Sequence, residues 1–281
     1  MTDHIIGVDL GGTNVRSALV CGEKITKIAE GQISSKGTEK VVIDEIIACI
    51  ENVFHQDTKS IGIGVPGIVN TQQGIVYDVQ NIPSWKEVYL KDIIEKHFNI
   101  PVFINNDANC FAVGESIYGH GKGYNHVVGL ILGTGVAAGM VLNGRVYEGR
   151  NCGAGEFGML PYLDNNYEFY CSGNYFKHFH QITGDQAYLE AQNGNTEMME
   201  IFSDYGKHLS MVIKAVLLTI DPEIIVLGGS VSKSFHLFKQ SLMSNLLDFP
   251  YRPVIENIII KSSSGENKAL LGAAGLGKQR F

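Results

Sequence analysis

HIIGVDLGGTNVRSALVCGEK (4–24) and HVVGLILGTGVAAGMVLNGRV (126–146) are one pattern written twice. At a constant spacing His4 meets His126, Gly7 meets Gly129, Leu10 meets Leu132, Gly11 meets Gly133 and Gly22 meets Gly144. Each copy runs from a β-branched stretch through a Gly/Thr corner into a second apolar stretch. Each then turns again, at Cys21-Gly22 or Asn143-Gly144. That is a β-hairpin whose tip carries bare backbone N–H groups. Two such tips in duplicated halves predict two lobes holding one phosphate chain from opposite sides. The pattern therefore points to phosphoryl transfer rather than to a generic α/β domain.

Composition narrows the partners. A chain of 281 residues suits about two domains. Its 44% apolar and 18% charged residues are those of a soluble globular protein. A net charge of −7 repels nucleic-acid phosphates, so no DNA or RNA partner is expected. Cys21, Cys49, Cys110, Cys152 and Cys171 are scattered, with no CxxC or CxC pair, which argues against a disulfide framework or a zinc ribbon. No basic segment leads into an apolar stretch at the start, and no run approaches ~18 apolar residues. The expected setting is the reducing cytoplasm, away from membranes.

The strands at 4–10, 15–21 and 24–34 read as a meander. Residues 38–55 place Val41, Val42, Ile46, Ile47, Ile50 and Phe54 on one helical stripe. A buried strand, 61–65, ends in Pro66-Gly67. A helix over 87–98 and the strand 102–104 follow, and another helix starts near Ala108 or Asn109. The second half repeats the order: strands 126–132 and 136–142, a helical insertion over 172–218, and a strand 223–227 ending in Gly228-Gly229-Ser230. A helix over 234–247, a strand over 254–260 and a small-residue helix over 267–278 close the chain. The expected lobes are 1–110, completed by 265–281, and 111–264. The fold class is α/β, with duplicated domains around a cleft.

In DLGGTN (9–14), Gly11, Gly12 and Thr13 can aim N–H groups at phosphate oxygens, and Asp9 can hold Mg²⁺ directly or through water. LGTG (132–135) has no acid; Ile131 stands where Asp9 stands. One acidic tip and one neutral tip, Gly133-Thr134-Gly135, suit a single Mg-nucleotide. There is neither a Gly-Lys-Ser/Thr P-loop nor a GxGxxG fingerprint. In NNDAN (105–109), Asp107 is the only carboxylate at a strand end, placed to accept a proton from an attacking hydroxyl, with Asn109 capping the next helix. Glu156 in GAGEFG (153–158) is a candidate grip on vicinal hydroxyls. Glu168 in YEFYCSG (167–173) is either a second grip or a surface acid. Gly228-Gly229 either lets an adenine ring lie against backbone or makes a plain strand-to-helix turn.

Taken in order, DLGGTN, GVPGIV (64–69), NIPSW (81–85), NDAN (106–109), LGTG, GAGEFG and LGGS (227–230) resemble the ROK family of sugar kinases, in the actin-like ATPase superfamily. The resemblance runs from Ile6 to about Gly275. It implies a two-lobed actin-like (ribonuclease H-like) fold, with Asp107 as catalytic base. It implies that Asn106, Glu156 and Glu168 bind sugar hydroxyls, with Gly67 and Asn81 beside the sugar. Asp9 and Gly11 to Asn14, with Gly133 to Gly135 and Gly228-Gly229, would serve the nucleotide. Two departures stand out. Met159 occupies the place of the family's zinc-linked His. The segment before Glu168, Asp164 to Tyr167, has no cysteine, so no structural zinc is expected. Repressors of the family carry an N-terminal helix-turn-helix, and the first strand here begins at residue 4. The resemblance thus implies an ATP- and Mg²⁺-dependent kinase of glucose, an N-acetylhexosamine or another hexose, phosphorylated at C6. The alternatives are a sugar-sensing regulator without turnover, or a kinase for allose, fructose or a β-glucoside. A homodimer is the expected assembly, dimers being the commonest closed form.

Overall fold

A computed structural model describes residues 3–280. The chain begins with the strands β1 (His4–Leu10), β2 (Asn14–Cys21) and β3 (Lys24–Gln32), followed by the helix α1 (Glu39–Glu51). Then come β4 (Thr58–Val65), β5 (Ile68–Asn70), β6 (Ile75–Tyr77), β7 (Glu87–Val88), α2 (Leu90–Phe98), β8 (Val102–Asn106) and α3 (Asp107–Tyr118). The hairpin β9 (Val127–Leu132) and β10 (Val136–Leu142) leads to β11 (Arg145–Val146), β12 (Pro161–Tyr162) and β13 (Asn165–Asn166). Four helices follow: α4 (Tyr167–Cys171), α5 (Asn174–His180), α6 (Gly184–Gln192) and α7 (Thr196–Thr219). The last elements are β14 (Ile224–Gly228), α8 (Phe235–Leu246), α9 (Arg252–Asn257), β15 (Ile259–Ser262) and α10 (Lys268–Gly275).

The described residues form two compact units, one of 3–123, 139–154 and 265–280, the other of 124–138 and 155–264. This differs from the expected boundary at 110, which would cut α3 in two. The whole of α3 packs on α10, and with it stays in the first unit. No helix among the described residues is long and apolar enough to cross a membrane.

The first unit is built on the sheet β3-β2-β1-β4-β8. The meander β1–β2–β3 is antiparallel, while β4 and β8 run parallel to β1. One face presents Ile6, Val8, Leu10, Ile61, Ile63 and Val65 to α1. That helix buries Val42, Ile46 and Ile50 of the expected stripe together with Ile43 and Cys49, while Val41 is left 41% exposed. Ser17 Oγ fixes the rotation by donating to the Cys49 carbonyl at 2.6 Å. Phe54 lies beyond the helix end. The other face receives α10. A Cβ on Gly7 would strike the Leu270 carbonyl, one on Gly62 the Ala273 carbonyl, one on Gly114 the Lys268 carbonyl, and one on Gly272 the Cys110 carbonyl. Backbone meets backbone on both sides of this contact, and only the missing side chains permit it.

In the second unit β9, β14 and β15 are parallel, and β10 turns back beside β9. β10 then passes into the first unit, where it pairs with β11. The insertion is helical as expected, and its long α7 lies on α8 with Gly206 against the Phe238 carbonyl. Two readings change. Residues 87–88 pair with β6 and the helix begins only at Leu90. The expected strand 254–260 is the helix α9 followed by β15. Pro253 sits in the first turn of α9, where its fixed φ is already helical and its missing N–H costs nothing.

Gly62→Ala should lower unfolding stability by roughly 1–3 kcal/mol, the usual cost of overpacking. Gly133→Ala, whose Cβ would meet nothing within 4 Å, should leave the denaturant midpoint in place. Equal midpoints for both variants would contradict the close approach of α10.

Candidate active site

The register of the first sheet builds one row of residues. Asp9 pairs with Gly64 across β1 and β4, and Gly64 pairs with Asn105 across β4 and β8. These are the C-terminal ends of parallel strands, where such sheets present ligand-binding groups. Asp107 follows as the first residue of α3. The cap is Asn106, not Asn109: its Oδ1 accepts from the Ala108 N–H at 2.9 Å, and the Asp107 Oδ1 accepts from the same N–H at 2.8 Å. The chain is extended at Asn106 (φ −66°, ψ 147°), so the helix starts one residue later. Asn109 lies a turn inside, 1% exposed, donating from Nδ2 to Asn105 Oδ1 at 2.9 Å. Asn106 Nδ2 reaches the Gly67 carbonyl at 3.2 Å, and Gly67 has φ +91°. Asp107, Asn106 and Gly67 are thus one assembly.

Burial pushes the Asp9 carboxyl up from its ordinary value, and Arg16 only partly opposes this. The Arg16 guanidinium is already engaged by Glu30 and by Asn267 Oδ1, each at 2.9 Å. The Asp9 carboxylate has no hydrogen bond or ion pair among the described residues. Burial, and then the charges of Asp9 and Asp107, hold the Cys110 thiol well up, so it is inert.

The tips are less bare than their glycines suggest. Gly11 N–H donates to the Asn14 carbonyl at 2.8 Å, and Gly133 N–H to the Gly135 carbonyl at 3.0 Å, each closing its own turn. Among the described residues the N–H groups of Gly12, Thr13, Thr134 and Gly135 donate to nothing. A Cβ at Gly12 would come within 2.6 Å of Asn81 Cβ, so the first tip and the NIPSW loop touch. The Asn14 side chain bonds its neighbour, from Nδ2 to Thr13 Oγ1 at 3.3 Å.

In the second unit Glu168 is no solvated surface acid. Its Oε2 accepts from Val136 N–H at 3.1 Å, and a Cβ on Gly135 would lie 2.6 Å from that oxygen. The carboxylate braces the second tip. Glu156 is exposed as a residue, yet its carboxyl is pushed up, first by partial burial and then by the Glu168 charge. Gly229 has φ +80° and packs on the Leu132 backbone, as a strand-to-helix turn requires, and Gly228 ends β14. Met159 is 63% exposed. Nearby hydroxyls are engaged: Tyr162 with His208 Nδ1 at 3.1 Å, and Tyr170 with Asp164.

The ROK family model matches residues 5–280. The chain belongs to the ROK family. This ROK chain is 27% identical to a glucokinase of Thermotoga maritima, over 99% of the chain and 98% of the relative. It is 29% identical to the N-acetylgalactosamine kinase AgaK of a Shewanella species, over 96% of each. Among solved structures, a ROK family glucokinase from Streptomyces griseus in complex with glucose and AMPPNP superposes with a TM-score of 0.82, at 25% identity, covering 98% of this chain and 99% of that one. The fold is therefore the actin-like ATPase α/β fold that the resemblance to the ROK family implied.

Sequence reasoning missed what stands behind Asp107 in this ROK chain. Asn105 organises the start of α3 and donates to Glu148, and Thr71 donates to Glu148. Glu148 lies 43 residues from Asn105, with no motif to announce it.

Because Glu156 titrates above its ordinary 4.5 in the folded protein, the folded state keeps that proton longer than the unfolded chain. Stability therefore falls as pH rises from 4.5 through the folded value. Glu156→Gln should be at least as stable as wild type at neutral pH, with the two converging below pH 4.5. Denaturant midpoints across that range check the sign; a variant less stable only at neutral pH would reverse it.

Proposed function

We propose that this chain is an ATP- and Mg²⁺-dependent kinase that phosphorylates a hexose or N-acetylhexosamine at its C6 hydroxyl. The observation that carries the reading is Asp107 at the first turn of α3, flanked by the Asn106–Gly67 bond and in the strand-end row of Asp9. Asp107 accepts the proton of the sugar hydroxyl as that oxygen attacks the γ-phosphoryl group. The free N–H groups of Gly12, Thr13, Thr134 and Gly135 serve phosphate oxygens, while Gly11 and Gly133 hold the turns in shape. Gly228-Gly229 borders the adenine.

Asp9 fits a cation: it is a half-buried carboxylate with no partner among the described residues. It would hold Mg²⁺ directly or through water, and the ion supplies neutralisation of phosphate charge. Asn81, Asn106, Glu156 and Glu168 grip sugar hydroxyls. Glu168 keeps Oε1 for this while Oε2 braces the phosphate tip. With a thioether at Met159, one hydrogen bond at the anomeric end is missing, which supports tolerance of substituents at C1 or C2. Names such as glucokinase and N-acetylgalactosamine kinase among the relatives support the substrate class without choosing within it.

Release of ADP should depend on sugar across a panel of glucose, N-acetylated hexosamines, allose, fructose and a β-glucoside. No sugar-dependent release would favour the regulator. Asp107→Asn should cut turnover on the best sugar by about 10²–10⁴-fold, with nucleotide affinity little changed by calorimetry. Wild-type turnover in that variant would refute the base.

We also propose that the 157–171 segment holds its shape without zinc. Tyr162, His208, Asp204 and Tyr175 form a hydrogen-bonded chain beside it, with His208 Nε2 3.3 Å from Asp204 Oδ2 and Tyr175 donating to Asp204 at 2.9 Å. Elemental analysis after dialysis should find far less than one zinc per chain. A stoichiometric amount would require ligands from elsewhere.

A further inference from the structure

Three polar side chains outside the proposed catalytic set meet in the first unit. Thr71 Oγ1 donates to Glu148 Oε2 at 2.7 Å, and Asn105 Nδ2 donates to Glu148 Oε1 at 2.6 Å. Asn105 Oδ1 then accepts three bonds: from Asn106 N–H at 2.8 Å, from Asn109 Nδ2 at 2.9 Å and from Cys152 Sγ at 3.1 Å. Asn105 is 2% exposed and Asn109 1%.

A primary amide has nearly the same shape with its oxygen and nitrogen exchanged. This chain of amides therefore has two possible directions. In the reverse one, Asn105 Nδ2 would donate to Asn109 Oδ1. As the protein stands, Asn109 Oδ1 is a buried acceptor with no partner. The observed direction thus leaves one acceptor orphaned, which buried polar groups avoid. Two neighbours of Asn105 select it: the Asn106 N–H, which needs an acceptor, and Glu148, which needs a donor. An ionised carboxylate has acceptors only, so it takes Asn105 Nδ2 and turns Oδ1 towards the start of α3. There Oδ1 holds the N–H of Asn106, the residue that caps α3, reaches Gly67 and precedes Asp107.

We infer that Glu148 is a positioning residue: it sets the direction of the Thr71–Glu148–Asn105 relay and, through Asn106, the place of Asp107. This rests on Asp107 being the base. The relay lines a cavity of about 420 Å³ together with Gln72, Phe103 and Arg145. A truncated side chain at 148 is therefore replaced by water rather than by collapse.

Four variants test it in the sugar-dependent ADP assay, beside Asp107→Asn. Glu148→Ala removes one of the two groups that hold the Asn105 amide in this direction, leaving only the Asn106 N–H. Its kcat should fall about 10- to 100-fold, the cost of a misplaced reacting group, with the KM for ATP unmoved and the protein folded by circular dichroism. Glu148→Gln should keep kcat near wild type, because its Oε1 can still accept from Asn105 and its Nε2 can donate to Thr71. Asn105→Asp sets two carboxylates at hydrogen-bond distance and should lose kcat. Asn105→Asp with Glu148→Gln reverses donor and acceptor across the same contact and should recover most of that loss. A role limited to packing predicts no such recovery. Wild-type kcat in Glu148→Ala, or a double variant no better than Asn105→Asp, overturns the inference while a dead Asp107→Asn leaves the base standing. A fully active Asp107→Asn, or no turnover by wild type, overturns the base and the positioning role with it.

Discussion

Asp9, Gly64 and Asn105 stand side by side because β1, β4 and β8 run parallel in one register. A slip of one residue in either pairing would turn each side chain to the opposite face of the sheet. Asp9 would then point into the core while Val8 and Leu10 turned out of it, and the first turn of α3 would leave the row. Gly64 matters to the same arrangement. A Cβ there would lie 3.1 Å from Cys110 Sγ and 3.6 Å from the Asp107 Cα, so its absence lets α3 sit close against the strand ends. The buried branched residues of β4 and β8 hold the register, since the sheet is covered on both faces.

The repeated hairpins could be read from sequence because alternation and Gly corners are local signals. What lay beyond them was decided by partners distant in the chain. NNDAN offers three asparagines able to cap a helix; the choice of Asn106 over Asn109 depends on Gly67, which accepts its amide. The tips read as open because glycine leaves N–H groups accessible, yet closing a tight turn consumes one of them, at Gly11 and again at Gly133. Residues 254–260 are β-branched enough for a strand, but Pro253 starts a helix first. Glu168 looked like any acid on a short helix until Val136 N–H was found against it. Glu148 gave no signal at all, since its meaning comes from the side chains it faces.

Two carboxyl groups of the proposed site, Asp9 and Glu156, are held above their ordinary pKa chiefly by burial. Nothing in the first unit pairs with Asp9 while Arg16 is taken by Glu30 and Asn267. In the second, Glu156 and Glu168 raise each other's energy rather than lower it. Such placements work against the folded state on its own and favour whatever brings a cation or hydroxyl donors to them, the familiar opposition between stability and function.

The α10 contact also orders events in time. The faces of β1, β4 and α3 that receive its backbone carry glycines at the contact, with Ile5 and Val20 packed beside it against Leu271 and Ala274. Until residues 268–275 have been synthesised, that surface of the first unit has no cover. All of the second unit, 124–138 and 155–264, leaves the ribosome earlier and already contains its own core. Nascent chains therefore hold every residue of the later-coded unit before the earlier-coded one is complete. The earlier-coded one waits, partly exposed, for a helix more than two hundred residues downstream.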